Sequence, residues 1–349
     1  MEENVVTAIG TPNKALVMYW GIENEALNLP MNSSLSVTLD ESLNTKTSVV
    51  FSNKIKEDTL YINGKLSNSE ADQKSVYLKK MIKKMREMAK IDKKVLVVSK
   101  NSFPSSAGLA SSASGSATAV FALSKALDLN LSQKDLSILT RQISGSGCRS
   151  LMGGFVKWDK GTKGDGSDSY AVQIANEKHW PEFIDIIAIV NETVKKISSS
   201  DGHKRTMRTS ELFKLRPKYA ENEVKDLEKI ISKRDFAQIS EIIMKDSNNM
   251  HATMLDSYPP IFYLNDASRE IIYAIHQLNE SEGKNIAAYT FDAGANAHIM
   301  TLKKYEKKVR ESISKVVEEK MIISSGQGSG PRILKEAESL IDSESLKPK

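Results

Sequence analysis

The chain has 349 residues, of which 40% are hydrophobic, enough for a sizeable core and better matched to two domains than to one. Its 49 basic and 44 acidic residues leave a formal charge of only +5, spread in short clusters such as Lys79-Lys80 and Lys83-Lys84, and aromatic residues make up 6%. That pattern gives no stacking platform for nucleic acid but suits a small anionic ligand. A single cysteine, Cys148, excludes an internal disulfide and fits a reducing compartment. Apolar runs such as Ile186–Val190 are far too short to span a bilayer, and the acidic start argues against a signal peptide. A cytoplasmic protein without nucleic-acid or membrane partners is expected.

Val5–Gly10 reads as a first strand, and the apolar-rich run Ala15–Trp20 leads into Gly21. Leu35–Leu39 reads as a strand, and Thr47–Ser52 with Thr59–Asn63 as a pair of strands, the latter ending at the turn dipeptide Asn63-Gly64. Glu70–Ala89 places Val76, Leu78, Met81, Met85 and Met88 at helical spacing, and these methionines read as core packing. Val95–Val98 is a strand, Ala117–Leu127 an apolar-rich helix, and Gln133–Gln142 a helix with Ser132 as N-cap. Strands follow at Phe155–Trp158 and Tyr170–Ile174, around the loop Lys160–Gly166.

The composition shifts near Trp180-Pro181, which marks a soft domain boundary. Beyond it lie a buried strand, Ile184–Val190, a polar segment, Lys195–Ser210, and helices over Glu211–Lys233, Phe236–Met244 and Asn265–Leu278. Strands Ala287–Phe291 and His298–Leu302 flank the turn Asp292–Ala297, and a helix covers Lys303–Val317 before the glycine-serine turn Ser325–Gly330. The charged end of the chain reads as a loose tail.

Two glycine-serine clusters carry the chemistry. Pro104–Gly115 holds five serines and two glycines between a strand and a helix. There, close backbone approach, hydroxyls and free helix-start N–H groups can hold a phosphate. It is not a Walker loop, because no Gly-Lys-Ser/Thr closes it, and a serine-rich linker is the plain alternative. The second cluster is Ser144–Ser150, followed by Gly153-Gly154. His203 and His251 lack companions at metal-ligand spacing, so no metal is expected.

Several of these stretches together resemble the diphosphomevalonate decarboxylases, a branch of the GHMP kinase superfamily. They are Tyr19–Gly21, Leu29–Leu39, Phe103–Gly115, Ser144–Ser150, Gly153–Phe155, Asp246–Asn248, His251–Thr253, Leu255–Tyr263 and Thr290–Gly294. The resemblance implies an α+β fold of the GHMP kinase type. It places an N-terminal domain over 1–181, a C-terminal domain over 182–335, a charged tail at 336–349 and a substrate cleft between the domains. It also implies a homodimer and a mevalonate phosphate as ligand. Family members phosphorylate the C3 hydroxyl with ATP and magnesium, then eliminate that phosphate together with carbon dioxide.

Residue by residue, the resemblance makes Asp292 the essential carboxylate that stabilises positive charge at C3, and Arg149 the grip on the substrate carboxylate. Tyr19, Ser144 and Ser146 fall at substrate-phosphate positions, Ser199 and Ser200 at a further ligand-facing pair, and Ser105, Ser106, Gly108, Ser111 and Ser112 in the phosphate loop. Cys148 reads as a small buried residue, not a nucleophile.

Three departures matter more. Where the family reads Lys-Tyr-Trp-Gly-Lys, this chain has Met18 and Ile22 at the two lysine positions, and Gln73 stands where an arginine holds the substrate diphosphate. Phosphoryl transfer depends on positioned cations, so the loss at position 18 should impair the kinase half while Asp292 and Arg149 keep the elimination half, and the losses at positions 22 and 73 suggest a 5-monophosphate. The pattern looks like the ATP-independent mevalonate 3,5-bisphosphate decarboxylases of thermoacidophilic archaea, which need no cofactor and form isopentenyl phosphate, carbon dioxide and phosphate. Gly202-His203 replaces a usual Gly-Met, and the adjacent Lys204-Arg205 could rebuild a phosphate contact or be a solvated face. The alternatives are an ATP- and magnesium-dependent decarboxylase of mevalonate 5-phosphate or 5-diphosphate, a mevalonate 3-kinase, and a non-catalytic sensor of mevalonate phosphates.

Overall fold

The computed structural model describes residues 4–67, 73–103, 111–190 and 196–349, without the side chains of Gln73 and Lys74. In chain order the main elements are β1 (Val6–Gly10), β2 (Asn13–Val17), β3 (Ser34–Thr38), β4 (Thr45–Ser52), β5 (Thr59–Ile62), α1 (Gln73–Ala89), β6 (Lys94–Asn101), α2 (Ser111–Ala126) and α3 (Gln133–Ile143). A short 3-10 helix, Ser146–Leu151, precedes β7 (Phe155–Trp158), β8 (Ala171–Ala175) and β9 (Phe183–Ala188). There follow α4 (Ser199–Thr209), α5 (Arg216–Lys233), α6 (Phe236–Leu255), α7 (Asp266–Ser281), β10 (Ala287–Phe291), β11 (Ala297–Leu302), α8 (Glu306–Ile313) and β12 (Ile322–Ser325).

Three sheets organise these elements. The first runs Arg332–Ile333, β1, β4, β6, β5, Lys65–Leu66; the second runs β8, β7, β3, β2; the third runs β10, β11, β9, β12. The strands read as a pair, β4 and β5, are not neighbours: β6 lies between them, antiparallel to β4 and parallel to β5. Sequence spacing cannot reveal a strand that arrives later and inserts.

Helices α1, α2 and α3 cover one face of the first sheet, burying Met81, Ile82, Met85, Ala117, Val120, Leu123, Leu136 and Leu139 against Ala8, Val49, Val95 and Val97. Met81 and Met85 are core as expected, but Met88 is largely exposed, on the outer side of α1. Ser132 does open α3, with Asp135 completing a reciprocal capping box.

The end of the chain is not loose. Ile341–Asp342 pairs with Lys347–Pro348, the Leu340 N–H donates to Ser48 Oγ, and Ile341 is fully buried against Val50, Leu96 and Val98. A charge-rich segment thus packs on the first sheet through Ile341, with Leu340 and Leu346 beside it. Residues 332–333 also pair with β1, so the chain returns to its N-terminal half before it ends.

The halves share one core. Leu16, Val17, Leu35, Val37 and Phe155 of the second sheet join Phe183, Ile186 and Ile187 of β9, Val224 and Leu227 of α5, and Ile239 and Ile243 of α6. Within this packing Arg216 and Asp246, both fully buried, lie 2.8 Å apart (NH1 to Oδ1). They clamp the end of β2: Asp246 Oδ2 accepts from the Met18 N–H at 2.9 Å, and Arg216 NH2 donates to the Met18 carbonyl at 2.8 Å. Removing one partner of such a pair strands the other in a dry interior. Arg216→Met should therefore lower the unfolding free energy by about 3–5 kcal/mol in urea titration, more than Arg216→Met combined with Asp246→Leu.

Candidate active site

The elements around β2 converge on one small region. Asp292 follows β10 directly, at the start of the turn into β11. Its Oδ1 accepts from Lys14 Nζ at 2.7 Å. The lysine side chain is 1% exposed and the aspartate 33%, so the ammonium lies behind the carboxylate and the carboxylate faces outward. Lys14 is the residue that the sequence reading missed. A lone lysine inside the otherwise apolar run after Asn13 was the available cue, since an unpaired buried lysine is almost never tolerated.

Position 13 serves the other charged group. Arg149, 2% exposed, sits on the 3-10 helix that follows α3, where Gly147 lets the backbone close onto α2; a Cβ there would lie 2.1 Å from Ser116 Oγ. Arg149 Nε donates to Asn13 Oδ1 at 3.2 Å and to Ser36 Oγ at 2.9 Å, and NH1 donates to Ser34 Oγ. Asn13 Nδ2 in turn donates to the Ser146 carbonyl at 2.9 Å and to Ser150 Oγ at 2.8 Å. Among the described residues no carboxylate pairs with Arg149. Burial accordingly holds its pKa below the usual arginine range. A buried guanidinium fixed by neutral hydroxyls is a receptor for an anion.

Tyr19 lies beside it. Its ring is 5.9 Å from the Arg149 guanidinium carbon, edge-on to Trp158 at 4.9 Å and stacked on His203 at 5.4 Å. Burial pushes its phenol up to about 12, so it is a neutral donor. Ser144 and Ser146, both half-buried, place their hydroxyls 3.4 Å apart. Cys148 is buried, with Sγ donating to the Gly145 carbonyl at 3.0 Å and burial pushing its pKa up to about 12. A protonated, enclosed thiol is no nucleophile.

The polar segment read over 195–210 is helix α4, with Ser198 as its N-cap accepting from the Asp201 N–H. Ser199 and Ser200 occupy its first turn, Ser200 exposed. The helix meets the site through His203, whose Nδ1 accepts from the Gly21 N–H at 2.8 Å. Nε2 therefore carries the ring proton. Gly21 has φ +91°, and a Cβ there would lie 2.5 Å from Phe213 Cζ, so glycine is required at this turn. Lys204 pairs with Glu25 at 2.8 Å with both side chains exposed, and Arg205 NH1 donates to the Pro259 carbonyl at 3.3 Å. Both contacts lie on the protein's own groups, Glu25 and the Pro259 carbonyl.

Met18 is 4% exposed and packs with Ala15, Trp20, Met250, Met254 and Ala293. Ile22 is half-buried, its N–H donating to Met207 Sδ at 3.1 Å. Of the serine-rich loop, Ser105, Ser106 and Gly108 lie outside the described residues, as does the Gln73 side chain. Ser111 and Ser112 are half-buried at the N-terminal end of α2 as described. Among the described residues no group of three or more His, Cys, Asp or Glu side chains is placed to hold a metal ion. No helix among them is long and apolar enough to cross a membrane.

These sheets and helices define an α+β protein of the GHMP kinase type, as the solved neighbours show. Mevalonate diphosphate decarboxylase from Staphylococcus aureus superposes with a TM-score of 0.88 at 33% identity, covering 95% of this chain and 98% of that one. The Trypanosoma brucei enzyme gives 0.88 at 34% identity, covering 97% and 100%. The Enterococcus faecalis enzyme, described for ATP binding mediated by mevalonate diphosphate, gives 0.86 at 34%, covering 95% and 99%. Residues 10–171 match the diphosphomevalonate decarboxylase-like N-terminal domain, and residues 185–345 the mevalonate 5-diphosphate decarboxylase C-terminal domain. Diphosphomevalonate decarboxylase of Debaryomyces hansenii is 44% identical over 313 residues, 87% of this chain and 81% of the relative. That of Rattus norvegicus is 41% identical over 317 residues, 86% and 77%. The chain belongs to the diphosphomevalonate decarboxylase family.

The two histidines packed at the site make the fold sensitive to acid. Burial lowers His203 from 6.5 to about 3. Burial, with the nearby Lys14 charge adding to it, lowers His251 from 6.5 to about 4. Between those values the unfolded chain binds more protons than the folded one, so stability is intact above pH 6.5 and falls as pH drops toward 3. Urea midpoints measured between about pH 7 and about pH 5 should fall with acidification, and His203→Met should narrow that difference.

Proposed function

We propose that this chain is an ATP-independent decarboxylase of mevalonate 3,5-bisphosphate, the elimination half of its family's reaction working alone, without a resident metal or nucleotide. The C3–O bond breaks and the phosphate leaves with the bonding pair. The C1–C2 bond then releases carbon dioxide, and its electron pair becomes the C2–C3 double bond of isopentenyl phosphate. Asp292 stabilises the positive charge at C3, and Arg149 holds the substrate carboxylate in line with the breaking bond. Tyr19, Ser144 and Ser146 donate to substrate phosphate oxygens, and Ser199 and Ser200 complete that side of the cleft. The start of α2, with Ser111 and Ser112, receives the leaving phosphate. A homodimer is the assembly inferred from the family.

One observation carries this reading. Met18 is folded into an apolar cluster, and the ammonium that reaches Asp292 comes from Lys14, which is shielded behind the carboxylate. No cation from β2 is open to a phosphoryl group in transit, whereas an anion facing C3 is retained.

The relatives favour a second reading, ATP-dependent decarboxylation of mevalonate 5-diphosphate or 5-phosphate. Its support is an identity of 41–44% to proteins named for the diphosphate substrate. ATP and magnesium would then supply the phosphoryl group, with Ser111 and Ser112 among the residues holding its phosphates.

Carbon dioxide release separates the two. Mevalonate 3,5-bisphosphate without nucleotide should be decarboxylated at full rate, and mevalonate 5-diphosphate with ATP and magnesium should give none. The reverse result overturns the proposal. In the same assay Asp292→Asn should lower kcat by several orders of magnitude, and near-normal turnover would remove Asp292 from the step.

A further inference from the structure

Lys14 and Asp292 are 278 positions apart in sequence and meet at 2.7 Å. The contact is asymmetric: the lysine is almost fully buried and the carboxylate is one-third open. The ammonium is thus shielded from solvent while part of the carboxylate is not. A buried lysine with no ligand to bind is costly, and an apolar residue would pack beside Ala15 and Leu16 at no such cost.

Other described groups also face the pair. Arg149 and Tyr19 act on Asp292 electrostatically from the 3-10 helix and the turn after β2. From α6, His251 lies near both charges, its Nε2 donating to the Phe291 carbonyl at 3.3 Å. Asp246, also on α6, feels Lys14 but is already engaged by Arg216 and the Met18 N–H. Of these, only Lys14 is a cation in hydrogen-bond contact with the Asp292 carboxylate among the described residues.

We propose that Lys14 is a positioning residue. Its ammonium holds Asp292 in one orientation and in its charged form, so that the carboxylate acts as a fixed anion toward C3 and not as a base. This deepens the function proposed above and rests on it for the identity of the substrate. An ammonium in contact with a carboxylate favours the ionised form and restrains the rotamer. A carbocation-like centre needs both.

The test is a pH profile with a split of kcat from KM for Lys14→Met and Lys14→Arg, using carbon dioxide release from mevalonate 3,5-bisphosphate. Lys14→Met should lower kcat about 100-fold with KM within about threefold, and move the acid limb of kcat to higher pH. Lys14→Arg, which keeps the charge, should recover at least about a tenth of the wild-type kcat and leave the limb in place. A kcat within about threefold of wild type for Lys14→Met, or an unmoved acid limb, overturns the proposal. Should Lys14→Met fail to fold by circular dichroism, Lys14→Arg decides: a loss beyond about tenfold, or a displaced limb, overturns it. If wild-type protein releases carbon dioxide only from a 5-phosphorylated mevalonate with ATP, the substrate reading fails. The same variants are then compared in that reaction, where a normal kcat for Lys14→Met would still overturn the role of Lys14.

Discussion

The site depends on keeping charges in a dry place next to one strand. β2 is fully buried along its length, yet it carries Lys14 and ends where Arg216 and Asp246 grip the Met18 backbone. Each buried ion costs several kcal/mol unless its partner is held in good geometry, so the strand tolerates slack neither toward α5 and α6, which carry Arg216 and Asp246, nor toward the turn that carries Asp292. The shared core of the second and third sheets supplies that rigidity. The ion pair to Asp292 then joins the N-terminal strand to a C-terminal turn and makes the two halves one catalytic unit.

How much of this was legible in the sequence differs by kind of interaction. Strands such as Phe155–Trp158 and Ala287–Phe291, and the N-cap at Ser132, were readable because alternation, burial and capping are local properties. The insertion of β6 between β4 and β5 was not, since strand order is a global property of the sheet. The tail misled because composition averages over charges, while a few apolar side chains, Ile341 with Leu340 and Leu346, dock it. The segment holding Ser199 and Ser200 was read only as polar, because a short helix with a solvated face has little apolar periodicity to show.

The site itself was read from the residues that carry resemblance, Asp292 and Arg149, and from one that departs from it, Met18. The partner that completes it was overlooked. Met18 carries no charge, but Lys14, four residues earlier on β2, brings an ammonium to the Asp292 carboxylate. Similarity at 41–44% identity constrains fold and family, and it spreads over hundreds of positions. The proposed function instead rests on single positions, 14 and 18, beside the Asp292 carboxylate.

Those positions bear on the chemistry through where a positive charge can be spent. In phosphoryl transfer the moving group is anionic, and a cation helps only if it can touch it. In expulsion of a tertiary phosphate the reacting carbon becomes positive, and a nearby cation open to the cleft would oppose the step. A lysine hidden behind Asp292 avoids that opposition while keeping the carboxylate charged and aimed. Met18 adds no charge of its own, and Arg149, bound by neutral hydroxyls, stays available for the substrate carboxylate. Under the proposed function, Asp292 would stand toward C3 and Arg149 toward C1, the polarity that elimination with loss of carbon dioxide requires.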